Sequence, residues 1–354
     1  MELAPALAEA FPGARVASWS ALAGQASSRR YYRLVLDGAP VRTVVVMRLP
    51  DDPELAFGSD EGPDGPGSAP GTPRLPFLEV QRFLAARGLP VPVVHAADLV
   101  RRVLLLEDLG DESFEARLGA VPASEWPALY GAAVDLLAEL HRRTERRPDE
   151  APARPHRAIF GEALLRWELD HFREWGLEAL AGPLVPAARR ALDASFDALA
   201  ATLARAPQGF VHRDYQSRNL HWRGDELVIL DFQDAMQGPA RYDLVALLND
   251  GYVDVPEPLQ RAMRARYAAA RGAPDDELFE LLAVHRKLKD AGRFVYIDRV
   301  RGDASFLPYV GRCLGYVDAA LARWDVAAAR ALRELLRSSL PGFPGEVRVR
   351  SARA

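Results

Sequence analysis

From Arg15 to Met47 the chain has the look of a sheet. YYRLVL (Tyr31 to Leu36) is aromatic and β-branched, DGAP is a turn, and RTVVVM (Arg42 to Met47) is a near-continuous apolar run. The small polar stretch AGQASSRR just before it suits a tight loop between strands. Residues Ala56 to Pro76 are dense in Gly, Pro, Ser and Asp and nearly empty of apolar side chains, which predicts a flexible surface insertion. Phe77 to Arg87 then changes period, with Phe77, Val80, Phe83 and Leu84 on one helical face, and Gly88 and Pro90 stop it. VPVVHAADL and VLLLEDLG read as two further short strands. After Gly110 long Ala- and Leu-rich helices take over, including Trp126 to Arg143 and Pro186 to Ala204. One hairpin, LHW-RGDE-LVIL, interrupts them, and helices resume from Tyr242. The pattern predicts a β-rich N-lobe over 1–107 and a helical C-lobe over 108–354, joined by a linker near Glu107 to Gly110.

Composition narrows the function classes. The 354 residues are long enough for two lobes, and 49% hydrophobic with 27% charged residues is a soluble globular profile. A net charge of −4 supplies no basic field for nucleic acid. No run of about 18 to 20 apolar residues suits a membrane helix, and MELAPALAEAFPGARV lacks the basic start and apolar core of a signal peptide. The expectation is a cytoplasmic monomer without nucleic-acid or membrane partners. Cys313 is the single cysteine, which excludes an internal disulfide and reads as a small buried apolar residue. Only two lysines occur, Lys287 and Lys289, so elsewhere arginine must do the work of cations.

The candidate chemistry lies in VHRDYQSRNLHWRGDELVILD, Val211 to Asp231. The RGDE turn folds two strands together, so Asn219 and Asp231 fall near the same end of the hairpin, and Asp214 lies five residues before Asn219. Two carboxylates and an amide are oxygen ligands for a hard cation, and Mg²⁺ is held by one or two protein carboxylates with phosphate and water completing the shell. The spacing H-R-D-x-x-x-x-N, followed by an apolar strand ending in Asp, matches the kinase catalytic loop and its metal-binding Asp. His212, preceded by the apolar Phe210 and Val211, reads as structural; Asp243 reads as a helix cap that also braces the loop.

FVHRDYQSRNL, VILDFQDAMQGPARYDLVALL, SRRYYRL and LLLEDLGD together resemble the aminoglycoside phosphotransferase (choline kinase-like) family. Within it the chain is most similar to the bacterial anomeric sugar kinases that act on N-acetylmuramate and N-acetylglucosamine. The likeness runs from about Ser20 to Tyr316, and the DFQDA…GP…YDL run is its most specific part. It implies an α+β, bilobal protein-kinase-like fold, with the active site in the cleft between a small β-rich N-lobe and a large helical C-lobe. It further implies a kinase that uses ATP and Mg²⁺, with Asp214 as catalytic base and Asn219 and Asp231 as metal ligands. Leu109, in the Glu107 to Gly110 hinge, would meet the adenine through its backbone. Gly24, Gln25, Ala26, Ser27 and Ser28 would cover the phosphates, and Glu79 would pair with the phosphate-binding cation.

That cation is usually a strand lysine, and no lysine precedes Lys287. An arginine must serve: Arg48 is the simplest candidate, with Arg30 and Arg33 in competition. MRLPDD stands here where the sugar kinases carry a Met-Asp-Ala-Pro-Pro run, and GQAS where they have Ser-Asp-Ala-Ser. For the acceptor, Gln216, Arg218 and the segment His285 to Arg299, Arg293 included, are the candidates. A cationic wall there would suit a sugar with a carboxylate, as in cell-wall recycling; the bland alternative is a solvated helix face. An aminoglycoside, a choline-like acceptor, or a nucleotide-binding protein without catalysis stand as alternatives.

Overall fold

The computed structural model describes residues 3–22, 29–51, 75–272, 277–324, 326–347, 349 and 351. Gly24 to Ser28 and all of the expected insertion except Leu75 and Pro76 lie outside the described residues. The chain forms two compact units. The described part of the first is 3–22, 29–51, 75–113 and 220–234; the remainder belongs to the second.

The first unit is built on a five-stranded antiparallel sheet of β1 (Arg15–Ala21), β2 (Arg30–Asp37), β3 (Thr43–Arg48), β4 (Val94–Asp98) and β5 (Val103–Glu107), in the order β1-β2-β3-β5-β4. Period-two alternation sorts its side chains by face. The register pairs Arg30 with Arg48, Tyr32 with Val46 and Leu34 with Val44, so these share one face. That face packs Leu34, Leu36, Val44, Val46, Val103 and Leu105 under α1 (Ala4–Ala10), whose Ala6 and Leu7 are buried with Phe11 just beyond it. Tyr31, Arg33, Val45 and Met47 occupy the other face. Helix α2 (Pro76–Ala85) starts on its proline and buries Phe77, Leu78, Val80, Phe83 and Leu84, as its periodicity predicts. The hairpin β7 (Leu220–Arg223) and β8 (Glu226–Ile229) also belongs to this unit: Trp222 N–H donates to Glu112 (3.0 Å) and Ile229 N–H to Pro90 (2.8 Å).

The second unit is helical apart from a short pair, β6 (Gln208–Val211) with β9 (Met236–Pro239). Its main helices are α3 (Phe114–Ala120), α4 (Trp126–Thr144), α5 (Glu162–His171), α6 (Pro186–Arg205), α7 (Tyr242–Leu248), α8 (Glu257–Arg271), α9 (Leu278–Tyr296), α10 (Val310–Arg323) and α11 (Ala327–Ser339). Helix α9 is the core helix of this unit: it is buried on nearly every side, charged residues included. Beside it α5 runs on into a π-helical stretch, Phe172–Glu178. There Gly292 of α9 lies so close to Phe172 that a Cβ would stand 2.7 Å from the Phe172 Cα.

Candidate active site

The loop His212 to Asn219 is held by buried side chains. The carboxylate of Asp243, fully buried in the first turn of α7, accepts the backbone N–H of His212 (2.7 Å) and of Arg213 (3.0 Å). His141 Nε2 lies 3.2 Å from the same carboxylate, and its Nδ1 lies 2.6 Å from the Tyr267 hydroxyl. Asp243 therefore braces the loop, as expected; its helix is capped by Arg241 without a side-chain bond. Asp250 does the same further on, accepting Ser217 N–H and Tyr252 N–H at 2.8 Å each. Burial raises the Asp250 carboxyl above its usual range, and these bonds act against that. Two carboxylates thus fix four backbone N–H groups that would otherwise be buried and unpaired.

Arg213 has a left-handed φ of 76°, a sparsely populated conformation for a non-glycine residue. Its guanidinium binds the buried Glu168 (2.5 Å), and its carbonyl accepts from Arg286. The strain is outweighed by contacts on every side, and it fixes the direction in which the next residue, Asp214, leaves the loop.

Asp214 is about a third exposed at its side chain, and Arg286 Nη2 reaches its Oδ1 at 3.3 Å and Gln216 Oε1 at 3.3 Å. Burial alone would push this carboxyl up. The charges of Lys289, Arg286 and Arg213 outweigh it and hold the group well below the usual carboxylate range. Asn219 donates through Nδ2 to the Asp214 carbonyl (2.9 Å), so Oδ1 is the atom its amide can offer a cation. His212 is fully buried, and its Nδ1 accepts the Asp214 N–H at 3.2 Å, a structural role.

In the segment expected as a cationic wall, the first two cations are buried rather than solvated, while Lys289 and Arg293 stay half-buried. Arg286 and Lys287 are fully buried, and Lys287 Nζ binds Asp290 at 2.5 Å. Asp290 lies 3.7 Å from both Arg286 and Lys289, and these cations together draw it down to about 2 against the effect of burial. Arg293 stays half-buried, its guanidinium 5.1 Å from the Tyr296 ring. Arg218 forms a bidentate pair with Glu115 (2.7 and 3.2 Å), donates to the Tyr309 hydroxyl (2.9 Å) and lies 3.7 Å over the Tyr252 ring.

In the first unit Asp231 follows β8 with φ at 59°, again left-handed, and its Oδ1 accepts from Gln233 Nε2 at 2.7 Å. Its charge acts on the half-buried Tyr31, which is also hydrogen-bonded to Arg29. Tyr31 and Arg33 share a face of the sheet, and Arg33 is fully engaged there: it makes paired hydrogen bonds to Asp108 (2.7 and 3.0 Å) and to Asp111 (2.8 and 3.0 Å). Arg30 and Arg48 lie on the α1 face instead, lining a cavity of about 680 Å³ with Trp19, Tyr32 and Asp51. The structure therefore does not bring Arg30 or Arg48 to the Asp231 side. Arg29 is the basic residue there that sequence reasoning missed, because parity along a strand cannot be fixed before the register is known. In the linker, Glu107 accepts from Val93 N–H (3.0 Å) and Arg223 (3.1 Å), while Leu109 makes no backbone hydrogen bond among the described residues. Glu79 sits half-buried on α2.

Comparison with known proteins decides what this loop belongs to. The model of the Phosphotransferase enzyme family matches residues 18–282. The chain belongs to this family. It is 36% identical over 282 residues to the N-acetylmuramate/N-acetylglucosamine kinase of Pseudomonas aeruginosa, covering 75% of this chain and 78% of that one. It is 31% identical over 317 residues to the kinase of the same name from Pseudomonas putida, with 86% and 84% covered. Among solved structures it resembles ADP-bound aminoglycoside phosphotransferase APH(2'')-Ib, with a TM-score of 0.54, 16% identity, and 85% and 93% of the two chains covered. It also resembles the choline kinase LicA of Streptococcus pneumoniae, with a TM-score of 0.56, 12% identity, and 86% and 94% covered. The protein-kinase-like α+β fold and a phosphotransferase activity follow from these relationships.

Proposed function

We propose that the protein is an ATP- and Mg²⁺-dependent amino-sugar kinase that phosphorylates the anomeric hydroxyl of N-acetylmuramate or N-acetylglucosamine. The relatives named for that activity, at 31% and 36% identity over most of the chain, support the acceptor. The observation that carries the chemistry is Asp214, an ionised, partly open carboxylate held by Arg286 on a loop pinned by buried carboxylates.

In this reading Asp214 accepts a hydrogen bond from the acceptor hydroxyl and takes its proton as the oxygen attacks the γ-phosphorus. A carboxylate held below its usual range is a weak base. That suits phosphoryl transfer through a loose transition state, in which positioning outweighs proton abstraction. An anomeric hydroxyl, more acidic than an ordinary alcohol, further lowers the demand on the base. Asn219 and Asp231 are the ligands we assign to Mg²⁺. One amide oxygen and one carboxylate fit a cation whose other positions go to phosphate and water. When bound, the ion neutralises charge on the transferred phosphoryl group.

Arg29, on the Asp231 side of the sheet with Tyr31, is the phosphate-binding cation in this reading, in preference to Arg48 or Arg30. The backbone of Leu109 and the residues 24–28 complete the nucleotide contacts in this reading, and Gln216 and Arg218 flank the acceptor. The test is ADP release with N-acetylmuramate, N-acetylglucosamine, kanamycin and choline, followed by phosphorus NMR of the product. A sugar 1-phosphate is expected. Asp214→Asn should lower kcat by about 10² to 10⁴ with its melting temperature retained. Turnover of only kanamycin or choline, or full activity in that variant, would sink the reading.

A further inference from the structure

We propose that Lys289 and Arg293, with the ring cluster Trp167, His171, Trp175 and Tyr296, form an acceptor subsite for a hexose bearing a carboxylate substituent. This rests on the sugar-kinase reading above. Arg286, Lys289, Arg293 and Tyr296 recur at intervals of three and four, so they form one stripe of α9. The stripe begins at the base, where Arg286 meets Asp214 at 3.3 Å. Seven residues on, about 10 Å along the axis, it reaches Arg293, within the span of one substituted monosaccharide.

The far end is aromatic. Trp167 stacks on His171 with ring centres 5.5 Å apart at 22°, Tyr296 lies 5.1 Å from His171, and Trp175 lies 5.3 Å from Tyr296. All four rings are half-buried, as is Arg293. Rings left partly open beside a few charged groups are the ordinary lining of a small-molecule site. Two cations, Arg293 and Lys289, act on His171 here, with Glu168 opposing them. Lys289 is the strongest of the cations acting on Asp214 and also acts on His171. Burial first, then Arg293 and Lys289, push the His171 imidazole down to about 4, so the ring stays neutral and does not compete for the carboxylate at neutral pH.

The sharpest test uses three sugars on the full chain: N-acetylmuramate, its methyl ester and N-acetylglucosamine. The acid should exceed the ester in kcat/KM by about tenfold to a hundredfold, the worth of a charge-assisted pair. Arg293→Gln should collapse that ratio, mostly through KM for the acid, with the melting temperature as a check on folding; Arg293→Lys should restore part of it. Equal turnover of acid and ester by the unaltered protein would overturn the subsite while leaving the kinase reading intact. So would an Arg293→Gln loss that is the same on every sugar. Absence of turnover on any amino sugar would overturn the reading on which the subsite rests.

Discussion

The residue that organises the candidate site is Arg286, which donates at once to the Arg213 carbonyl, to Asp214 and to Gln216 from full burial. A planar fork can serve three acceptors in fixed directions, and an ammonium cannot. Arg286→Lys keeps the charge and loses the geometry, so kcat should fall by on the order of 10²-fold, as for a misplaced catalytic group. KM for ATP should move little. Arg286→Met also removes the charge and leaves the Arg213 carbonyl without its donor, so it is expected to weaken the fold as well as the site. It should show up chiefly as a lower melting temperature. Unchanged kcat in the lysine variant would refute the positioning role. In the sequence HRKLKD reads as an acceptor wall or a solvated helix face, and nothing there marks Arg286 as a buried brace of the loop. The roles proposed for Asp214, Asn219 and Asp231 rest on a spacing that is legible in the sequence, one hairpin and its entry loop. Asp250, Glu168 and Arg286 reach the loop from distant segments, and nothing local marks them.

At the scale of elements, what periodicity governs was readable and what register governs was not. Strands β2 and β3 and helix α2 stand where their patterns put them, with ends shifted by a residue or two. Helix α1 was not foreseen, because its seven residues are too few for a periodic signal. The faces of Arg29, Arg30 and Arg48 depended on the β2–β3 pairing, which only the structure supplies. The close crossing of α9 with the π-helical stretch yields a prediction of its own. An added methyl at Gly292 would sit 2.7 Å from the Phe172 backbone, which cannot swing aside as a side chain can. Gly292→Ala should cost about 1 to 3 kcal/mol, seen as a lower urea midpoint. It should also raise acceptor KM, since Arg293 is the next residue. A variant as stable as the parent would show that the helices separate there at little cost.

Across the whole molecule, buried titratable groups set the response to acid. His171 sits at about 4 against an ordinary 6.5, because burial and then Arg293 and Lys289 oppose its charging, and His285 is lowered as well, chiefly by burial. A lowered histidine is neutral in the folded state while the unfolded chain takes up a proton. Stability is therefore greatest above pH 6.5 and declines as the pH falls from 6.5 towards 4. Asp290 acts in the next window. Folded, it ionises at about 2 against an ordinary 3.8, so its contribution is present above 3.8 and disappears as the pH falls through 2. The melting temperature should thus decline in two stages, one between pH 6.5 and 4 and a second below 3.8. His171→Phe keeps a ring among Trp167, Trp175 and Tyr296 and removes the proton site. It should lessen the slope of the first stage, leaving the share of His285, and leave the second unchanged. Melting curves from pH 2 to 8 on both proteins decide the matter. An unchanged slope between 6.5 and 4 in the variant would mean that His171 charges as readily in the folded chain as in the unfolded one.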